Sequence, residues 1–126
     1  PEGSEPAVGL IGRLRYRDDF QALRRDGRTV RRGLVRVVYR SAGDPLAAIR
    51  VAFAIGREVG NAVVRNRLRR RLRPVMSDLA TRVDGLPAGD YLVKVDQSGA
   101  NADSSKLLED LAAVADELRA QEKKRF

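Results

Sequence analysis

The chain has 126 residues, 43% of them apolar, enough for one modest core in a single domain. Twenty-five Lys and Arg against 17 Asp and Glu give a net charge of +8 and an isoelectric point near 10.7, a balance that favours polyanionic partners, nucleic acid or anionic membrane. With no Cys and no His, disulfides, thiol nucleophiles, zinc sites of the usual kind and the commonest general base are excluded, and no apolar run is long enough to span a membrane.

Residues 1–12, PEGSEPAVGLIG, read as a loose N-terminal segment without the basic region and apolar core of a signal peptide. Residues 13–121 read as the folded domain and 122–126 as a tail. A helix is predicted over Asp18–Asp26: Asp18 and Asp19 suit its N-terminus, Gly27 closes it, and Phe20 and Leu23 share a face. Gly33–Arg40 alternates as a strand, with Val35, Val37 and Tyr39 on one side and Leu34, Arg36, Val38 and Arg40 on the other. After a turn over Ser41–Pro45, a second strand follows at Ile49–Gly56; Val51, Phe53 and Ile55 form its bulky face, Ala52 and Ala54 its slim one. The short loop between the two strands implies an antiparallel pair.

From Asn61 onward, Val64, Leu68, Leu72, Val75, Leu79 and Val83 make one apolar helical stripe. Pro74 lies inside it, and a kink or break is expected near Arg73. Gly85–Gly89 is a turn and Tyr91–Val95 a third strand. A last helix over Asp103–Gln121 has Leu107, Leu108, Leu111, Val114, Ala115 and Leu118 on one side, and its mixed charges suit packing rather than binding. The order α-β-β-α-β-α predicts a single-domain α+β fold: a small, mainly antiparallel sheet with helices packed on it.

Charge gathers in two blocks. Residues 13–40 carry ten Arg and three Asp, a local +7, and residues 61–73 carry six Arg and no acid. On a helix Arg65, Arg69 and Arg73 form one ridge, with Arg67, Arg70 and Arg71 elsewhere around the axis. Like charges at i,i+4 repel by about 0.2–0.5 kcal/mol per pair, and no nearby acid offsets them. An RNA fold supplies phosphate from several directions, and the planar Arg fork suits it.

The run Arg57-Glu58-Val59-Gly60-Asn61-Ala62-Val63-Val64-Arg65-Asn66-Arg67-Leu68-Arg69-Arg70-Arg71-Leu72-Arg73, directly after a strand, strongly resembles the signature of the bacterial ribonuclease P protein family. Arg57, Gly60, Asn61, Ala62, Val63, Arg65, Asn66, Arg67, Arg70 and Arg73 match it, and Arg13-Leu14, Asp19-Phe20-Gln21 and Gly27 resemble the family's start. The resemblance implies a protein subunit that assists an RNA-catalysed, Mg²⁺-dependent endonuclease, ribonuclease P, in removing the 5′ leader of precursor tRNA. The protein itself would hold no catalytic residue and no metal, and would pair with the RNA one to one. Arg57, Asn61, Arg65, Asn66, Arg67 and Arg70 would face the catalytic RNA; Phe20, Ala54, Arg69 and Arg73 would line a leader cleft. The resemblance also implies a left-handed β-α-β crossover through the arginine helix. The cytoplasm is the expected location, the lack of Cys fits it, and no membrane partner is expected.

The sequence departs from the family at several cleft positions. Arg24 stands where a second aromatic is frequent, Glu58 where a basic residue is usual, and Asp96-Gln97 where Arg is frequent. Val38 aligns with a frequent Tyr, while the ring here is the next residue, Tyr39; either the register slips by one or the cleft is less aromatic. Two other functions compete: a non-catalytic RNA binder of the ribosomal type, and a metal-dependent nuclease using Asp18 and Asp19. The latter two are poor co-ligands, since helical neighbours point about 100° apart.

Overall fold

The computed structural model describes residues 11–14, 17–44, 46–82 and 85–125. Most of the expected N-terminal segment, Pro45 and Val83 lie outside them. Five strands and three α-helices follow in the order β1 (Gly12–Arg13), α1 (Arg17–Asp26), β2 (Arg28–Arg32), β3 (Val35–Ser41), β4 (Ile49–Ala54), α2 (Ala62–Thr81), β5 (Gly89–Val95) and α3 (Ser104–Arg125), with a 3₁₀ turn at Gln97–Gly99. The last helix therefore runs through most of the residues expected as a tail.

The strands form one mixed sheet in the order β1-β4-β5-β3-β2. The β2–β3 and β3–β5 junctions are antiparallel and together carry more ladder pairs than the parallel β1–β4 and β4–β5 junctions together. The strands at Val35–Ser41 and Ile49–Ala54 do not pair with each other, contrary to the expectation from their short loop. β5 lies between them, antiparallel to β3 and parallel to β4. The reason is burial: of the β5 residues only Lys94 is not buried, so both faces of the strand need cover, and that requires a central place. The β4–α2–β5 connection includes a 20-residue helix, long enough for the parallel crossover.

β2 is absent from the predicted order. Its sequence RTVRR has one buried residue, Val30, so the alternation signal is nearly silent. The hairpin to β3 closes at Gly33, whose φ of 56° lies in the left-handed region that favours glycine. The Asp110 carboxylate of α3 accepts the Leu34 N–H at 2.9 Å and fixes that turn.

Helices cover the two faces unequally. The larger core lies between one face and α2 plus α3: Val35, Val37, Tyr39, Val51, Tyr91 and Val93 meet Leu68, Leu72, Met76, Leu107, Leu111 and Leu118. A smaller cluster under α1 joins Leu14, Leu23 and Leu92 with the partly buried Phe20, Val38 and Ala52. The break expected near Arg73 does not occur, and α2 runs unbroken through Pro74. Pro74 is exposed, so the carbonyl it leaves unpaired, that of exposed Arg70, lies on the watered side. Leu72, Val75, Met76 and Leu79 are buried opposite and hold the helix together. Val64, the first residue of the stripe, is only half-buried.

Candidate nucleic-acid interface

Helix α2 presents the arginine segment. Asn61 caps it, its side-chain oxygen accepting the Val64 N–H at 3.0 Å, so this residue has a structural task beside any contact with RNA. Arg57, Asn66, Arg67 and Arg70 are exposed around this end of the helix. Arg65 is half-buried, and its Nε is buried without a hydrogen-bond partner among the described residues. None of Arg57, Arg65, Arg67, Arg69, Arg70 and Arg73 forms an ion pair among the described residues. Arg71 differs: its Nη1 donates to the Ala102 carbonyl at 2.8 Å and ties α2 to the start of α3.

The sheet face under α1 is ordered in rows. Register places Arg40, Asp90 and Arg50 side by side, then Val38, Leu92 and Ala52, then Arg36, Lys94 and Ala54, with Arg31 flanking Arg36 on β2. The first row is a set of paired charges: Arg50 grips Asp90 through Nε and Nη2, both at 2.9 Å. The second is apolar and packs under α1. The third sets cations opposite one another, an arrangement that costs stability without an anion between them.

Two cavities each take one slim residue of β4 into their lining, Ala52 in the first and Ala54 in the second. The first is lined by Phe20, Ala52, Arg69 and Arg73, together with Arg13, Leu14, Val51 and Phe53. The Arg73 guanidinium lies over the Phe53 ring, 5.3 Å from its centroid. Burial pushes the Arg73 pKa below its ordinary value, and the neighbouring Arg13 adds to this, so a phosphate here would relieve both strains. The second cavity holds Ala54 with Arg31, Arg36, Lys94, Glu58 and Asp96. Phe20, Arg69 and Arg73 are thus brought together, whereas Ala54 lies two residues along β4 in the adjoining cavity.

Val38 faces α1 beside Phe20, and Tyr39 points into the opposite core, where its ring sits 4.9 Å from that of Tyr91 and its hydroxyl donates to the Ala88 carbonyl at 2.8 Å. The Tyr39 ring thus lies on the opposite face of the sheet from Val38 and Phe20. Glu58 and Asp96 bring carboxylates into the second cavity. A hydrogen bond from Ser98 Oγ, at 2.6 Å, holds the Asp96 carboxyl below its ordinary range. Asp19 is committed elsewhere, since Arg50 Nη1 and Nη2 donate to its two oxygens at 3.2 and 3.3 Å.

Arg13, Phe53, Arg31, Arg36 and Lys94 join the site although sequence reasoning did not name them for it. Arg36 was recognisable as outward-facing on its strand. Arg31 sits on the strand that carried no signal, and Lys94 depends on β5 lying between β3 and β4. The assembled surface offers forked cations, the half-buried ring of Phe20 and small side chains at Ala52 and Ala54, which suits a flexible polyanion with stackable bases.

A family profile described as Ribonuclease P matches residues 12–119. The ribonuclease P protein component of Streptomyces avermitilis is 42% identical over 114 residues, covering 84% of this chain and 90% of that one. The corresponding component of Acidothermus cellulolyticus is 45% identical over 82 residues, 64% of this chain and 65% of its own. Among solved structures, the RNase P protein from Thermotoga maritima superposes with a TM-score of 0.68 at 25% identity, covering 82% and 94% of the two chains. That of Staphylococcus aureus superposes with a TM-score of 0.70 at 19% identity, covering 86% and 95%.

Proposed function

The chain belongs to the ribonuclease P protein family, and from that premise we propose that it binds the catalytic RNA through its arginine helix and holds the 5′ leader of precursor tRNA across the two adjoining cavities. As a component of a ribonucleoprotein endoribonuclease, it contributes binding and orientation, while the RNA subunit cuts the leader. Arg57, Asn61, Arg65, Asn66, Arg67 and Arg70 face the catalytic RNA. Phe20, Arg69 and Arg73 take one stretch of leader, and Ala54 with Arg31, Arg36 and Lys94 takes the next. The observation that carries this reading is a pair of cavities that take Ala52 and Ala54, two residues apart on the slim side of β4, into linings that also hold Arg13, Arg69 and Arg73 in the first and Arg31, Arg36 and Lys94 in the second.

A leader varies in sequence, so stacking and charge serve it better than contacts to base edges. Phe20 supplies the ring, and Arg69, Arg73, Arg36 and Lys94 supply counter-charge. Among the described residues no three carboxylate, His or Cys side chains converge as a metal site. We assign the metal to the RNA subunit and substrate, with no step through this protein. The complex with the RNA is one to one and cytoplasmic in this reading. Among the described residues no helix is long and apolar enough to cross a membrane.

The test is reconstitution. Purified protein added to a bacterial ribonuclease P RNA at low Mg²⁺ is expected to accelerate precursor tRNA cleavage, with the protein alone inactive. No acceleration sinks the reading. Cleavage by the protein alone, abolished by Asp19→Ala, would favour a protein nuclease instead.

A further inference from the structure

We propose that Arg50 is a positioning residue for the leader cleft: through Asp19 it fixes α1 over the first two rows of the sheet face, leaving the third, cationic row open. This rests on the leader-cleft reading. Arg50 lies on β4 and spends its whole fork on two carboxylates from different elements. Nε and Nη2 each reach Asp90 of β5 at 2.9 Å, and Nη1 and Nη2 reach Asp19 of α1 at 3.2 and 3.3 Å. The Asp90 side chain is only 6% exposed and that of Asp19 19%, against 35% for Arg50, so the two carboxylates are less screened than fully exposed ones. Arg40 approaches Asp90 from β3 at 4.0 Å, which balances two carboxylates with two guanidiniums.

The position of α1 follows from this contact. Its apolar residues Phe20 and Leu23 rest on the Val38–Leu92–Ala52 row, a cluster too small to define where the helix sits along the strands. Apolar contact is non-directional, whereas a bidentate guanidinium–carboxylate pair fixes distance and angle. Asp19 immediately precedes Phe20, so the pair places the ring at the edge of the first cavity. It also anchors the N-terminal turn of α1 toward the Arg40–Asp90–Arg50 row, away from Arg36, Lys94 and Ala54. A helix released from Arg50 can slide toward those cations and narrow the path between the cavities.

Asp19→Asn tests this with least risk to the fold, because Arg50 keeps Asp90. In the reconstituted holoenzyme, precursor tRNA carrying a leader of several nucleotides is compared with one carrying a single-nucleotide leader. Asp19→Asn is expected to weaken binding of the long-leader substrate by roughly fivefold to tenfold, the scale of one hydrogen bond's net contribution. The single-nucleotide substrate and the affinity for the catalytic RNA should be unchanged. Arg50→Gln should give the same leader-specific loss, and combining the two should add little. Equal losses on both substrates, or no loss on either while the wild-type protein still favours the long leader, overturn the proposal. A wild-type protein indifferent to leader length defeats the leader-cleft reading itself.

Discussion

Arg70 and Arg71 are neighbours in sequence with different surroundings. Arg70 is exposed with no ion pair among the described residues, whereas Arg71 is half-buried and donates to the Ala102 carbonyl. Arg71→Ala removes a helix-to-helix hydrogen bond and should cost about 1 kcal/mol of stability, with little change in RNA affinity. Arg70→Ala should do the reverse. Denaturant titration and RNA binding at fixed salt measure the two effects, and matching behaviour of both variants would show that the helix does not divide its arginines this way. The sequence made the arginine density plain and the division invisible, because the partner carbonyl lies 31 residues away. The same distance problem governed the first cavity. The family resemblance grouped Phe20, Arg69 and Arg73, but Arg13 and Phe53 enter its lining only through the packing of β1 and α2 beside β4.

At the scale of elements, α2 shows how packing overrides a local rule. A proline inside a helix costs about 3 kcal/mol relative to alanine, and here four buried side chains on the opposite face hold the turns on either side of it. Pro74→Ala restores the N–H that can donate to the Arg70 carbonyl. It also frees the unfolded chain, which returns up to about 1 kcal/mol. The net expectation is a gain of about 1–3 kcal/mol in urea unfolding, with RNA affinity unchanged since Pro74 lines neither cavity. A loss of stability would mean that the fixed proline φ helps this helix more than the missing bond harms it. Helix periodicity was strong enough to reveal α1, α2 and α3. Strand neighbours were not legible, because pairing across β5 depends on a crossover whose geometry leaves no periodic trace. β2 was silent for a different reason: as an edge strand it buries one side chain and fills the rest with charge.

Across the whole molecule, α3 sorts the first arginine block. Arg28 pairs with Glu122 at 2.9 Å and Arg32 with Glu117 at 3.0 Å, both on the α3 side of β2. Arg31, between them, turns to the other face and lines the second cavity. Two arginines of that block are therefore neutralised from α3, while Arg13, Arg31 and Arg36 line the two cavities. Among the described residues, the arginines of α2 form no ion pair with an acid. If roughly four to six of them each displace a counterion from RNA, log affinity for the catalytic RNA should fall against log salt with a slope on the order of −3 to −5. Arg65→Ala combined with Arg67→Ala should reduce the magnitude of that slope by about 1.4–1.8, two phosphates' worth at ~0.7–0.9 each, and weaken binding without unfolding the chain. Neither side chain belongs to the main core, so the melting transition should persist. A salt-independent affinity would reduce the arginines to a solvated coat. A double variant that unfolds would place Arg65, with its buried Nε, among the residues that build the helix rather than those that bind.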